Sequence, residues 1–263
     1  MKKFLILLAG LFVLACNNEK DKEAVKTVTH SDLVAENLKG DISAMEVSPY
    51  KTDSTGKIGD MDSCCTNVTE YDENGNGIKS VRKDSKGTVS SESVTTRHAN
   101  GLFKSISNTE KGKNTGGFET KVDEKGNYTW AGEIDSAGKG GVYYTNITQN
   151  DVGEVTGWKQ YDKDSVYKGE GEAKYDKHMQ LSFTFKDSVG VVKNSSASKY
   201  NDKGEEIENS NTNVGKDSTT TTVTKYTYEA HDEMGNWTQR TTWNDKGKAT
   251  SISKRTFTYR KKE

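Results

Sequence analysis

His231-Asp232-Glu233-Met234-Gly235-Asn236-Trp237-Thr238-Gln239-Arg240-Thr241-Thr242-Trp243-Asn244-Asp245-Lys246-Gly247 contains two turn signals and one alternating run between them. Asp232 and Asn244 each open a turn by offering a side-chain oxygen to nearby backbone N–H groups. Gly235 and Gly247 close those turns, because only glycine takes a positive φ without steric cost. Between them, Trp237, Gln239, Thr241 and Trp243 share one parity, the period-two pattern of a strand with one face half buried.

The same unit recurs along the chain. Its turns end at Gly75, Gly87, Gly101, Gly126, Gly138, Gly153, Gly190, Gly204, Gly235 and Gly247. Steps of 12 residues (Gly75 to Gly87, Gly126 to Gly138) alternate with steps of 14 or 15 (Gly87 to Gly101, Gly138 to Gly153), so the repeating unit is a hairpin of roughly 26 residues. The intervening runs alternate as well: Leu181, Phe183 and Phe185 share a parity, as do Tyr226 with Tyr228, Phe257 with Tyr259, and Tyr128 with Trp130. The pattern predicts an all-β domain over 32–263, an antiparallel meander of about 12–15 strands. Such a sheet would be open or curled, or drawn out as an elongated array. Residues 32–39 read either as a short helix ending at Gly40 or as coil leading to a first strand near 41–50.

Composition agrees with strands and argues against bundles. Leu, Ile, Val and Phe total 44 of 263 residues, and beyond residue 15 the only leucines are Leu33, Leu38, Leu102 and Leu181. A helical bundle of this length without leucine is implausible. The apolar deficit is offset by 12 Tyr, 4 Trp and 30 Thr, all good strand formers. Charge is balanced, with 38 Lys+Arg against 39 Asp+Glu, which argues against both wholesale disorder and nucleic acid as a partner.

Residues 1–15 read as a signal peptide. Lys2 and Lys3 precede an apolar stretch from Phe4 to Leu14 that is too short to span a bilayer stably. Val13-Leu14-Ala15-Cys16 resembles the bacterial lipobox, which implies cleavage before Cys16 and attachment of diacylglycerol to its sulfur. Such a chain is anchored to a membrane through lipidated Cys16, with 16–31 as a flexible tether. The polar, Lys- and Asp-rich character suits a Bacteroidota-like outer-membrane lipoprotein, periplasmic or surface-exposed. Cys64 and Cys65 read either as unpaired thiols or as members of a vicinal or intermolecular disulfide.

A resemblance emerges from the turns. Tyr71-Asp72-x-x-Gly75-Asn76, Tyr200-Asn201-x-x-Gly204 and Asp232-x-x-Gly235-Asn236-Trp237 resemble YD/Rhs repeats, with Tyr161-Asp162 and Tyr175-Asp176 as degenerate copies. That family builds β-sheet shells or elongated sheets and is often secreted. This chain lacks the Arg-Leu that often follows the turn glycine, lacks a self-cleaving C-terminal core, and is too short to enclose a toxin.

No catalytic motif is present. Asp72-Glu73-Asn74-Gly75-Asn76-Gly77 opens like a calcium loop, but Lys83 stands where the bidentate Glu is required. His30, His98, His178 and His231 have no metal spacing, and no cofactor is expected. The remaining candidates are the aromatics Trp130, Trp158, Trp237 and Trp243, either core or a ligand-facing surface. Ser54, Ser136, Ser165, Ser188 and Ser218 sit in Asp-Ser-Thr, Asp-Ser-Ala or Asp-Ser-Val triplets that resemble Bacteroidota O-glycosylation acceptors, although Asp-Ser is also ordinary turn chemistry. The expectation is a non-enzymatic envelope lipoprotein that binds or scaffolds an extracellular protein or glycan. Alternatives are an immunity-like partner of a secreted toxin and, more remotely, a small glycan hydrolase.

Overall fold

The structure is a computed structural model that describes residues 31–62 and 65–261. The signal segment, Cys16, the tether before Ser31, and Cys64 lie outside the described residues. A four-residue helix α1 (Asp32–Ala35) is followed by β1 (Ile42–Thr52), β2 (Ile58–Met61), β3 (Thr66–Tyr71), β4 (Gly77–Lys83) and β5 (Val89–Arg97). Next come β6 (Phe103–Glu110), β7 (Lys113–Val122), β8 (Tyr128–Ile134), β9 (Gly140–Gln149), β10 (Val155–Tyr161) and β11 (Tyr167–Asp176). The chain ends with β12 (Met179–Asp187), β13 (Val192–Tyr200), β14 (Glu206–Val214), β15 (Thr219–His231), β16 (Trp237–Trp243) and β17 (Ala249–Tyr259).

Each strand from β3 to β17 pairs antiparallel with the next, as the hairpin repeat requires. Most of the turns are nearly identical. In the Asp84 turn, Gly87 N–H donates to the Asp84 carbonyl at 2.9 Å, while Lys86 N–H and Thr88 N–H donate to Asp84 Oδ1 at 2.9 Å. The Asp carboxylate thus satisfies two donors, and Gly87 closes the turn at φ 80°.

The sheet is neither open nor an extended array. Strand β1 lies between β17 and β3, with Met45 opposite Phe257 on one side and opposite Thr69 on the other. Of seventeen strands, β2 pairs with β1 only, and the other sixteen close into a barrel. The expectation of 12–15 strands in an open or curled sheet is corrected on both points. Hairpin periodicity reports neighbours along the chain, whereas closure depends on a pairing more than 200 residues apart.

The turns form two rims. One end carries the turns that begin at Asp72, His98, Asp123, Asn150, Asn201 and Asp232, and the segment 31–41 runs across it. Leu33 N–H donates to the Gly75 carbonyl at 3.1 Å, and Asn37 Nδ2 to the Lys203 carbonyl at 2.7 Å. Asn236, only 2% exposed, accepts from Lys39 N–H at 2.7 Å and donates to the Lys39 carbonyl at 2.8 Å. Leu33 and Leu38 pack with Ile42, Met45 and Tyr71, and with Val47, Phe257 and Tyr259 around them. This is the compact apolar core, and it plugs one end of the barrel.

Candidate functional site

Cross-strand pairing separates the inner and outer faces of the barrel. One inner row runs Thr120–Ala131–Tyr144–Gln160; another runs Trp158–Gly171–Phe185–Asn194–Asn213–Thr220. The alternate residues face out and are mostly charged or polar, with outward aromatics at Trp130, Tyr143, Tyr161 and Trp243. Lys79 pairs with Glu92 at 2.7 Å, Lys199 with Glu208 at 2.7 Å, and Lys186 stands opposite Glu170.

The inner face has two chemically distinct halves. Strands β6 to β12 present Phe103, Phe118, Tyr144, Ile147, Val155, Trp158, Phe183 and Phe185 around a cavity of about 710 Å³. Trp158 lies flat on Phe183, with ring centroids 5.7 Å apart and planes 11° apart. It can lie there because its cross-strand partner is Gly171; a Cβ on that residue would sit 2.3 Å from the indole. Burial raises the Tyr128 hydroxyl pKa to about 12, and Tyr144 is pushed up for the same reason. The opposite half is amide and hydroxyl: Asn194 Nδ2 donates to Asn213 Oδ1 at 2.5 Å, and Asn209 Nδ2 donates to Ser198 Oγ at 3.0 Å.

A second cavity, of about 390 Å³, lies against α1 and is lined by Glu36, Tyr228, Trp237, Arg240 and Arg255 among others. Arg255 stands 3.8 Å from the Trp237 ring centroid, and burial lowers its pKa to about 10. Burial also pushes the Glu36 carboxyl up, with the Arg255 charge working against that shift. Two acids of this rim are already engaged. Glu205 meets His231 Nε2 at 2.5 Å, and Glu154 meets His178 Nδ1 at 3.2 Å.

The four tryptophans do not form one surface. Trp158 lines the aromatic cavity and Trp237 the polar one. Trp130 faces outward beneath Lys121, whose Nζ is 5.1 Å from the ring centroid. Trp243 also faces outward, donating to Thr227 Oγ1 at 2.9 Å under the β1–β2 loop near Gly56. The parities of Trp237 with Trp243 and of Tyr128 with Trp130 therefore mislead, because register irregularities between Tyr228 and His231 and between Lys121 and Val122 intervene.

Ser54, Ser136, Ser165, Ser188 and Ser218 are all exposed, and all lie in turns of the rim opposite α1. The free-thiol reading fails for Cys65, which is disulfide-bonded to a partner outside the described residues. Asp72 uses Oδ1 to accept from Asn74 N–H at 2.9 Å and Asn76 N–H at 2.8 Å, an ordinary turn. Among the described residues, no group of three His, Cys, Asp or Glu is placed to hold a metal.

The lumenal residues Phe103, Phe118, Tyr144, Arg240 and Arg255 were not singled out by sequence reasoning. A signal for the two halves was present, however. Residues 103–185 hold 12 of the 23 Phe, Tyr and Trp, whereas 194–224 holds only Tyr200 and is dominated by Ser, Asn and Thr.

No protein-family model and no curated protein matches the chain. Among solved structures, it is similar to a porin-like protein from Bacteroides uniformis. That match has 13% identity and a TM-score of 0.52, covering 82% of this chain and 98% of the other. Weaker overlaps occur with the TcdB2-TccC3-Cdc42 complex (15% identity, TM-score 0.32, 79% of this chain and 11% of that one) and with a LolA superfamily protein from Nitrosomonas europaea (8%, 0.25, 89% and 95%). At these identities the likeness concerns the fold alone. Fold and site together define a class: a closed antiparallel β-barrel with a hollow lumen, half aromatic and half polar. Its outer face carries charges at mid-strand, at Lys159 of β10 and Glu172 of β11 among others. A Lys facing lipid at the bilayer midplane would cost about 2–4 kcal/mol.

Proposed function

We propose that this chain is a cell-envelope lipoprotein, anchored to the outer membrane through Cys16, whose barrel holds an apolar or amphipathic small molecule in its lumen. The observation that carries this reading is the inversion of polarity: aromatic rings converge on an interior cavity of about 710 Å³, while the outer face of β10 to β12 carries Lys159, Glu170, Glu172 and Lys186. A preformed apolar pocket with a few polar groups at its margin is the usual form of a small-molecule site. A protein or glycan ligand on exposed tryptophans is less well supported, because Trp158 and Trp237 point inward. The worn YD/Rhs-like turns serve here as barrel hairpins. Both Ser31 and Arg260 lie at the plugged rim, and the five exposed Asp-Ser turns lie at the opposite one.

Titration of the protein with the environment-sensitive probe N-phenyl-1-naphthylamine tests this reading. The expected result is saturable binding at one site per chain. Trp158→Ala should weaken it about tenfold, equivalent to ~1.4 kcal/mol, and Trp130→Ala should leave it unchanged. Absence of saturable binding, or equal losses in both variants, overturns the reading.

A further inference from the structure

Four arginines sit at the plugged end of the barrel, and two of them have partners of opposite charge. Arg97 meets Asp32 at 2.5 Å, and Arg260 meets Asp41 at 2.5 Å. Arg240 and Arg255 line the smaller lumenal cavity with no carboxylate within 4.0 Å among the described residues. Their Nε atoms are buried without any hydrogen-bond partner. Besides the Tyr228 hydroxyl, which hydrogen-bonds Arg240, what holds the two cations is aromatic: the Trp237 ring lies 3.8 Å from the Arg255 guanidinium and 4.9 Å from that of Arg240, and Tyr226 lies 4.5 Å from Arg240. Ring faces orient a guanidinium and attract it, but they do not neutralise it.

The acids in this wall do not relieve the charge. Glu205 is taken by His231 and by Asn201 Nδ2 at 2.7 Å, and Glu206 by Ser198 Oγ at 2.7 Å and Asn209 Nδ2 at 3.3 Å. Glu36, the exposed residue just after α1, faces Arg255 without an ion pair. Tyr71, 3% exposed and within electrostatic reach of Arg255 and Glu36, has a buried hydroxyl with no partner. Desolvated cations beside unpaired donors are costly unless something anionic completes the set. Guanidinium forks match the oxygens of a carboxylate or phosphate, often in bidentate fashion.

We propose that this cavity is an oxyanion site, in which Arg255 and Arg240 receive the carboxylate or phosphate of an amphiphile whose apolar part lies along Phe183, Trp158 and the aromatic wall. Strand β12 contributes to both cavities, through Met179 and Gln180 in one and Phe183 and Phe185 in the other. The apolar half of this proposal rests on the lumenal binding reading above; the anion half stands on the arginines alone.

The experiment has two arms, each run on the full protein and on Arg240→Gln/Arg255→Gln. In the first, thermal unfolding is followed in inorganic phosphate against chloride at constant ionic strength. Phosphate should raise the wild-type midpoint saturably, as a ligand of the native state does, and leave the variant unmoved. A rise in both proteins, or in neither, overturns the anion site. In the second, dodecanoate should bind the wild type about tenfold more tightly than dodecanol, with the difference lost in the variant. Should the two amphiphiles bind alike in both proteins, the anion site fails and the apolar reading stands. If phosphate stabilises only the wild type and neither amphiphile binds, the anion site stands and the apolar reading fails. Circular dichroism of Arg255→Lys, which keeps the charge and loses the fork, controls for folding; it should retain the native spectrum and lose most of the dodecanoate preference.

Discussion

Replacing Gly171 by alanine tests how the aromatic wall is assembled. The backbone at Gly171 does not have a positive φ, so the substitution acts through space alone. Its new Cβ would stand 2.3 Å from Trp158 Cε2 and Cζ2 and 2.9 Å from Cη2, so the indole must retreat more than 1 Å to reach ordinary contact at 3.4 Å. Phe183 lies on Trp158 with its ring nearly parallel, so a retreat of that size disturbs the stack. Overpacking of this kind costs about 1–3 kcal/mol, and the lost ring pair about 0.5–1.5 kcal/mol. We therefore expect Gly171→Ala to lose about 2–3 kcal/mol in guanidinium unfolding at unchanged m. The Tm should fall by roughly 4–12 °C for a chain of this size, and the near-ultraviolet tryptophan signal should change. Gly140→Ala is the control, since the nearest atom to its Cβ is 4.0 Å away. If Gly171→Ala were as stable as Gly140→Ala with an unaltered tryptophan spectrum, the glycine floor beneath Trp158 would be refuted.

Three further outcomes follow from particular contacts. Ser165 occupies the glycine position of the Asp162 turn at φ 63°, so Ser165→Gly should raise stability by about 1 kcal/mol in the same unfolding assay. Asn236→Ala removes buried bonds to both backbone groups of Lys39 and to the Tyr259 hydroxyl. It should cost about 2–3 kcal/mol and speed hydrogen exchange at Lys39 and Leu38. Backbone N–H groups of Asn127 and Lys125, with the Asn127 side chain, hold the Asp123 carboxyl below its ordinary value of 3.8. A depressed carboxyl in the folded state contributes stability above that ordinary value and loses it as pH falls through the lower, folded one. Asp123→Asn keeps the acceptor, as Asn150 and Asn201 do in sister turns. It should be slightly less stable than the wild type at pH 7, converge with it as acid protonates Asp123 below about pH 4, and show the shallower acid dependence of the two.

What could be read from the chain was local. Each Asp-x-x-Gly turn carries its own hydrogen-bond acceptor and its own positive-φ residue, so the hairpins and most strand limits follow from a few residues at a time. Tyr226 and Tyr228 do share a face, both on the side of Arg240. Leu181 does not follow Phe183 and Phe185. It falls where the register with β11 shifts between Lys174 and Tyr175, and it is 39% exposed. A single extra residue reverses every later side chain, and no local sequence rule marks where these irregularities fall. Closure was not legible, because it rests on Met45 meeting Phe257 and Thr69 at once. The arginine site was hidden for the same reason: Glu36 caps the end of α1, Tyr71, Arg240 and Arg255 come from β3, β16 and β17, and only the closed barrel brings them together.

The lumen, not the outer face, is held to be the binding surface. Single-tryptophan variants of the protein titrated with 12-bromododecanoate, whose bromine quenches indole fluorescence on contact, test this directly. Trp158 should be quenched saturably, while Trp130 and Trp243 keep their emission throughout. Quenching of Trp130 or Trp243 on the same saturation curve, with Trp158 untouched, would contradict it.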